Sequence, residues 1–341
     1  MARRPTARQR LDALAESLEP GLRRTFLGAV DEIRSNAELG LIVERLEAGD
    51  IEGALAALHI DRAAFGEFED ELRNVYVEGG RVAVQQFPRL PDPGGNRLVL
   101  RFDARNPRAE RIIADHSADL ITRTTADMRG AARQHLVSGQ VAGRNPRATA
   151  LDLIGRVDRV TGRRVNGILG LTAQQEGYVA SARQELLSGD PEALRNYLTR
   201  ARRDRRFDRQ VAAALRDGRP LDQATVSRIT GRYSDRLLQL RGETVARTET
   251  LAGLNMGSHE AAEQMIEQAG VARQNVRKIW IATRDSRTRD SHAEIDRDSV
   301  GMDERFANGL LYPHQPGAPA SEVVNCRCRL DYRVDFLANL A

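Results

Sequence analysis

Through most of this chain the apolar residues recur three and four apart, and they are mainly alanine, leucine and valine; aromatic residues make up only 4%. Alanine and leucine lose little freedom on entering a helix, so this spacing in these residue types reads as helix rather than sheet. "LRRTFLGAVDEI" sets Leu22, Phe26, Leu27, Val30 and Ile33 on one face. Before it, "RLDALAESL" spaces its leucines the same way, and Pro20 is expected to close that helix. "LGLIVERLEAGDIEGALAAL" predicts two short helices parted at Gly49-Asp50, with Asp50 as a cap. "FGEFEDELRNVYVEGGRVAVQQF" predicts a longer one that ends near residue 87.

"PRLPDPGGN" (88–96) interrupts the pattern. Three prolines and two glycines in nine residues suit neither helix nor central strand, and a boundary is expected there. "RLVLRF" (97–102) alternates and predicts one short strand. Helix then resumes. Asn106-Pro107, Asn145-Pro146 and Asp190-Pro191 each put a capping side chain before a proline at the first helical position, and Thr172 with Gln175 fits a capping box. About five helices are expected between 107 and 269, the last from about Ser234 to Gly270. Beyond Gly270 the pattern changes. "VRKIWIAT" (276–283), "LLYP" (310–313) and "NCRCRLDYRV" (325–334) predict strands, and "TRDSHAEIDR" (288–297) predicts a short helix. The expected fold is mainly α-helical: a helical arm (1–90), a helical body (95–270) and a small C-terminal α+β unit (271–341).

The chain of 341 residues is 41% hydrophobic, which suffices for a core and excludes wholesale disorder. Its net charge of +4 is modest but unevenly spread. Residues 1–87 hold 11 Arg against 16 acidic residues, and 183–241 hold 14 Arg against 8, so the arm and the middle are suited to different partners. Lys278 is the only lysine. No apolar run reaches the roughly 18 residues of a membrane span. The basic start "MARRPTARQR" lacks an apolar signal core after it, so folding in a reducing cytoplasm is expected. Two cysteines do not make a disulfide framework. A phosphate-binding G-K-[ST] loop and an H-E-x-x-H zinc helix are absent.

Three places bear chemistry. In "RARRDRRFDR" (200–209), Arg202, Arg203, Arg205 and Arg206 form the densest basic cluster, suited to an acidic protein surface or to phosphates. The interleaved Asp204 and Asp208 argue against a pure polyanion site and would brace the helix itself. In "ARTET" (246–250), Arg247 and Glu249 stand two apart on a helix, on different faces, each reaching a separate partner. Glu249 lacks the second acid of an E-x-E motif, which speaks against ADP-ribosylation. "TRDSRTRDSH" (283–292) is read as a structural corner. Asp285 would hold the turn, Thr288 would cap the helix that carries His292 and Glu294, and Arg287 or Arg289 would pair with Glu249 or Glu322. His292 would face Cys326 and Cys328 across a strand. Those three are soft or borderline ligands that suit Zn²⁺ if a fourth exists, with Asp285, Asp290 and His314 as candidates. The plainer alternative is two buried thiols and a hydrogen-bonded histidine. A nucleophile pair of Cys326 and His292, as in a hydrolase, is a further reading, without a sequence sign of an activated thiol.

"RGETVARTETLAGLN" (241–255), the Trp280 strand, "RDSRTRDSH", "FANG" (306–309), a Pro/Gly-rich loop and "EVVNCRC" (322–328) follow one another in an order that resembles the phage head morphogenesis family. These are minor head proteins similar to the F protein of phage Mu. The resemblance spans about residues 150–333 and is strongest over 230–333. Its signature falls on Arg247, Glu249, Asn255, Trp280, Asp285, Arg287, Thr288, His292, Asn325, Cys326 and Cys328. It implies a virion or procapsid component without catalytic activity, made in the host cytoplasm and placed in few copies inside the head near the portal vertex. The implied partners are portal protein, major capsid protein or packaged DNA; ejection with the genome is the DNA-contacting variant. Some relatives carry toxin or transferase domains after this unit, and none is expected up to Ala341.

Overall fold

The structure is a computed structural model that describes residues 7–87 and 99–335. The chain order is α1 (Ala7–Asn36), α2 (Leu39–Glu47), α3 (Ile51–Ala56), α4 (Gly66–Val84), α5 (Pro107–Val141) and α6 (Pro146–Ile154). A two-residue ribbon follows, β1 (Arg156–Val157) with β2 (Arg164–Val165), then α7 (Ala173–Ser188), α8 (Pro191–Thr199), α9 (Asp208–Asp217) and the long α10 (Gln223–Ala269). The C-terminal part holds β3 (Val276–Ile281), α11 (Asp290–Glu294), β4 (Ser299–Gly301), α12 (Ala320–Val323) and β5 (Arg329–Val334). The fold is therefore mainly α-helical with a small α+β part at the C-terminal end, as expected.

The caps form where local chemistry places them. Asp50 accepts from Gly53 N at 2.8 Å, Asn145 from Ala148 N at 3.1 Å and Asp190 from Ala193 N at 2.7 Å, while Thr172 and Gln175 make a reciprocal box. Elsewhere the structure departs from the expectations. Pro20 lies inside α1 and does not end it. Proline removes one ladder bond, but Leu11, Leu22, Phe26 and Val30 are buried on both sides of it, and that packing carries the helix through. Six α-helices, rather than five, fill 107–269, and α10 begins at Gln223, capped by Asp222 (Thr225 N, 2.9 Å), not near Ser234.

"PRLPDPGGN" lies outside the described residues. The described part of the next expected strand, 99–102, lies outside any helix or sheet. The side-chain amide of Gln268 brackets Arg101, accepting from its N–H (3.3 Å) and donating to its carbonyl (2.9 Å). Gln264 does the same for Asp103 at 2.8 and 3.0 Å. The strand expected from alternation is thus not formed in its described part; the backbone of Arg101 is bound by helix side chains instead of by a neighbouring strand.

The described residues gather into two compact units. One draws on Met1–Thr25, Phe68–Asp119 and Thr244–Ala341; the other on Phe26–Glu67 and Leu120–Glu243. They cut across the consecutive blocks 1–90, 95–270 and 271–341. In the first unit α4 lies against α10 with no room for side chains. A Cβ on Gly79 would stand 2.7 Å from the Leu254 Cα, and one on Gly257 would stand 2.1 Å from the Tyr76 carbonyl oxygen. The sheet is antiparallel in the order β4-β3-β5, with Ile279 between Ser299 and Asp331. "LLYP" is loop, and the third strand is Ser299–Gly301 instead. Val276, Lys278 and Trp280 point inward, and the Lys278 ammonium donates to the Glu304 carbonyl at 2.7 Å. In the second unit Phe26 meets Phe65 at 6.4 Å, and the buried Arg34 donates to the carbonyls of Leu169 (2.9 Å) and Gly167 (2.7 Å).

His259 on α10 stacks on Tyr312 (4.6 Å) and shares a hydrogen bond with the Tyr332 hydroxyl at 3.2 Å. Burial pushes its pKa down to about 4; Glu263, 3.9 Å away, opposes this, and Lys278, Arg273 and Arg108 add to it. An unfolded histidine takes its proton near pH 6.5. Between these values the unfolded chain binds more protons, so stability present above pH 6.5 is lost as the pH falls towards 4, at up to about 1.4 kcal/mol per pH unit. Urea midpoints measured from pH 7 to 4.5 should fall steeply. His259→Asn should flatten that slope; an unchanged slope would assign the acid loss to other groups.

Candidate functional site

The stretch 283–292 leaves β3 and turns. Arg284 adopts a left-handed backbone (φ 58°). Asp285 then holds the loop, as expected: its Oδ1 accepts from Arg287 N (3.0 Å) and its carbonyl from Thr288 N (3.0 Å). Both carboxylate oxygens also accept from the Arg327 guanidinium, at 2.6 and 2.7 Å. That bond and the Arg287 N–H hold the Asp285 carboxyl below the usual range. Thr288 does not cap α11. Its hydroxyl turns back to accept from Asp285 N (3.2 Å), and Arg289 at the cap position makes no side-chain cap bond. The expected arginine pairs are replaced as well. Arg289 donates to the Val324 carbonyl (2.7 Å), Arg287 stays 3.8 Å from Asp285, Glu249 meets His116 at 2.7 Å, and Glu322 meets His292. Arg247 reaches Glu19 at 3.4 Å, so Arg247 and Glu249 do part to different partners.

His292 is 1% exposed. Its Nε2 lies 2.8 Å from Glu322 Oε2, and its Nδ1 lies 3.5 Å from Cys326 Sγ and 3.4 Å from Cys328 Sγ. Trp280 packs edge-on against the ring at 5.2 Å. Both cysteines are buried and precede β5 rather than lying in it. Their segment is fixed through its backbone. His314 Nε2 donates to the Cys326 carbonyl (3.1 Å), Thr283 Oγ1 to the Arg327 carbonyl (3.0 Å) and Asn255 Nδ2 to the Cys328 carbonyl (3.1 Å). Asn325, left-handed at φ 56°, donates its N–H to Thr248 Oγ1 (3.1 Å).

His314 is thereby excluded as a fourth ligand. Its Nε2 is taken by the carbonyl, its Nδ1 faces Asn255 Nδ2 at 3.2 Å, and burial pushes its pKa down to about 3. Asp285 is committed to Arg327, and Asp290 is exposed and outside the group of three. The Cys328 thiol donates towards Cys326 and holds the Cys326 pKa below that of an ordinary thiol, against burial; the same contact and burial push Cys328 up. For His292, burial disfavours the imidazolium, but Cys328 and Glu322 outweigh it and raise the pKa. Sequence reasoning missed the roles of Glu322, His314, Thr283 and Thr248. Only Glu322 had a local sign, four residues before Cys326 in "EVVNCRC".

The basic cluster is partly neutralised. Arg203 makes two 2.9 Å bonds to Asp208, and Arg206 is paired with Asp204 at 2.5 Å, in a short 3₁₀ turn that Asp204 caps. Arg202 and Arg205 are exposed. The second unit also holds a cavity of about 680 Å³ with Arg144, Arg156 and Arg228 in its wall, and one of about 390 Å³ with Arg206, Arg228 and Arg232. Arg228 and Asn166 border both; among the described residues no carboxylate lines either, while Arg144 and Arg156 are paired with Asp152 and Arg206 with Asp204.

Residues 206–331 match the model of the family described as Phage Mu protein F like protein. The minor head protein GP7 of Bacillus phage SPP1 is 33% identical over 100 residues, which is 28% of this chain and 30% of GP7. The NAD(+)–arginine ADP-ribosyltransferase EFV of Enterococcus faecalis (strain ATCC 700802 / V583) is 35% identical over 99 residues, 28% of this chain and 19% of that protein. The matches thus span less than a third of either relative's length. No solved structure matches the chain significantly. The arginine corner, the buried Cys-x-Cys and the long helix that precedes them all fall within or beside the matched stretch, and over residues 206–331, less than half of the chain, the sequence is similar to the phage Mu protein F like family and to a phage minor head protein.

Proposed function

We propose that the chain is a non-enzymatic structural component of the phage head, lodged inside the procapsid or virion near the portal vertex, where it serves head assembly and the packaging or release of DNA. The observation that carries this reading is the family match over 206–331 together with the likeness to a minor head protein. The absence of catalysis is supported by the site itself. Cys326 and His292 are closed off from solvent, and Glu249, the one acid of "ARTET", is buried against His116. No helix among the described residues is long and apolar enough to cross a membrane.

The second unit is the part we assign to docking on portal or capsid protein, through Arg202 and Arg205 and the arginines around Arg228. A DNA-contacting role is favoured by one observation, the two adjoining arginine-lined cavities that share Arg228 and, among the described residues, have no carboxylate in their walls, although Asp152 and Asp204 pair with some of their arginines. Arg203 is left out of the test, because its loss would strand Asp208. Charge reversal at Arg202, Arg205, Arg228 and Arg232 should abolish pull-down by portal protein and incorporation into heads. If binding is to DNA, affinity should fall steeply between 50 and 200 mM salt, by about 10³-fold or more for six or more phosphate contacts. A variant that enters heads normally and ejects DNA normally would refute the docking role of this face.

A further inference from the structure

We infer that His292, Cys326 and Cys328 form a binding site for one thiophilic divalent cation, zinc by its chemistry, held by Nδ1 and two thiolates. Three observations carry this. First, the geometry converges on a point and not on a pair. Both sulfurs lie at nearly the same distance from one nitrogen, 3.5 and 3.4 Å, and all three donor atoms lie within 4.8 Å of one another. Nδ1 has one lone pair and can accept from only one S–H at a time. A nucleophile–base couple would set one sulfur on that nitrogen and leave the other aside. Zinc–nitrogen and zinc–sulfur bonds of ordinary length at a tetrahedral angle place N and S about 3.6 Å apart.

Second, the outer partners suit a metal. Glu322 accepts at Nε2 (2.8 Å), which puts the His292 proton there and turns the bare Nδ1 towards the sulfurs; this is the carboxylate–histidine arrangement that orients metal ligands. The Cys328 N–H lies 3.4 Å from Cys326 Sγ, a contact that stabilises a thiolate. The carbonyls of residues 326, 327 and 328 are each held by a side chain from another segment, so both sulfurs are positioned before any ligand arrives.

Third, the charge closes. Binding would displace one proton from each thiol, and two thiolates with a neutral imidazole balance a divalent ion, leaving a neutral group in a buried place. A fourth protein ligand is not at hand. The other five histidines each hold another bond, His59 to Glu38, His116 to Glu249, His135 to the Thr149 carbonyl, His259 to Tyr332 and His314 to the Cys326 carbonyl. No carboxylate joins the three within 4.8 Å among the described residues. The remaining position falls to a water.

The test uses the full chain, purified under reducing conditions, with zinc content measured and Co²⁺ titrated into the metal-stripped protein. One zinc per chain and a sulfur-to-cobalt charge-transfer band are expected, with two protons released per metal bound. Cys326→Ala and Cys328→Ala should each lose the band. Glu322→Gln should keep it and weaken binding about 10- to 100-fold, as loss of an outer partner does. The titration of the unaltered protein decides the matter even if a cysteine variant fails to fold. No retained zinc and no charge-transfer band, with both thiols free on unfolding, would overturn the site. So would a chain lighter by two hydrogens, the mark of a Cys326–Cys328 disulfide.

Discussion

Deleting residues 1–87 should leave a remainder that is insoluble or molten. Each compact unit loses core with it. The first loses α4, whose Phe68, Leu72, Val75 and Tyr76 are at most 1% exposed and whose glycines let α10 approach. The second loses Phe26, Val30, Ile33, Ile42 and Phe65, likewise at most 1% exposed. Each such side chain contributes roughly 1.5–3 kcal/mol on burial, and a whole domain is stable by only about 5–15 kcal/mol. Soluble expression, near-UV circular dichroism and a urea transition on residues 95–341 check this. A soluble fragment that unfolds cooperatively would restore the separable arm that the composition of 88–96 suggests.

Gly257→Val should be nearly as damaging. Its first side-chain carbon would stand 2.1 Å from the Tyr76 carbonyl oxygen and 2.7 Å from the Gly80 nitrogen. Both obstacles are backbone, so relief requires α4 and α10 to separate along the crossing that Gly79, Gly80 and Gly253 also form. A cost of about 3 kcal/mol or more is expected, at the upper end for overpacking. Gly130→Ala in α5 is the internal control. Nothing lies within 4 Å of its added carbon, and the change should stabilise by about 0.5–1 kcal/mol. A Gly257→Val melt that matches the unaltered protein would mean the helices do not approach this closely.

What the sequence disclosed was what depends on near neighbours. Asp50, Asn145, Asp190 and the Thr172–Gln175 box satisfy backbone donors three residues away, and each was legible. Pro20 was not, because whether a helix survives a proline depends on what is buried on either side of it, and Phe26 meets Phe65, distant in sequence. The same division runs through the site. Cys326, Cys328 and His292 could be grouped because the chain has two cysteines and few histidines. The partner of His292 could not, since Glu322 and Glu249 are equally acidic and only the fold separates the one facing His292 from the one facing His116. Thr288 was misread because its hydroxyl had two donors within reach, and the turn at Asp285 took it. The cluster at 202–206 counted charges correctly but not their commitments: Asp204 and Asp208 each take an arginine from it.

The two glutamine amides on α10 divide the sequence requirements of segment 99–103 unequally. Gln264 and Gln268 bind the N–H and C=O of Asp103 and Arg101, groups that every residue except proline carries, so those bonds place little demand on the side chains at 101 and 103. The demand falls on the helix, where only a carboxamide offers an acceptor and a donor side by side. Exchanging Gln for Glu there would keep the shape and turn a donor into a second acceptor facing a carbonyl. The information that places the backbone of residues 101 and 103 is thus written some 160 residues downstream, and drift at those two positions would leave the address intact, whereas Leu100 and Phe102 between them pack through their own side chains.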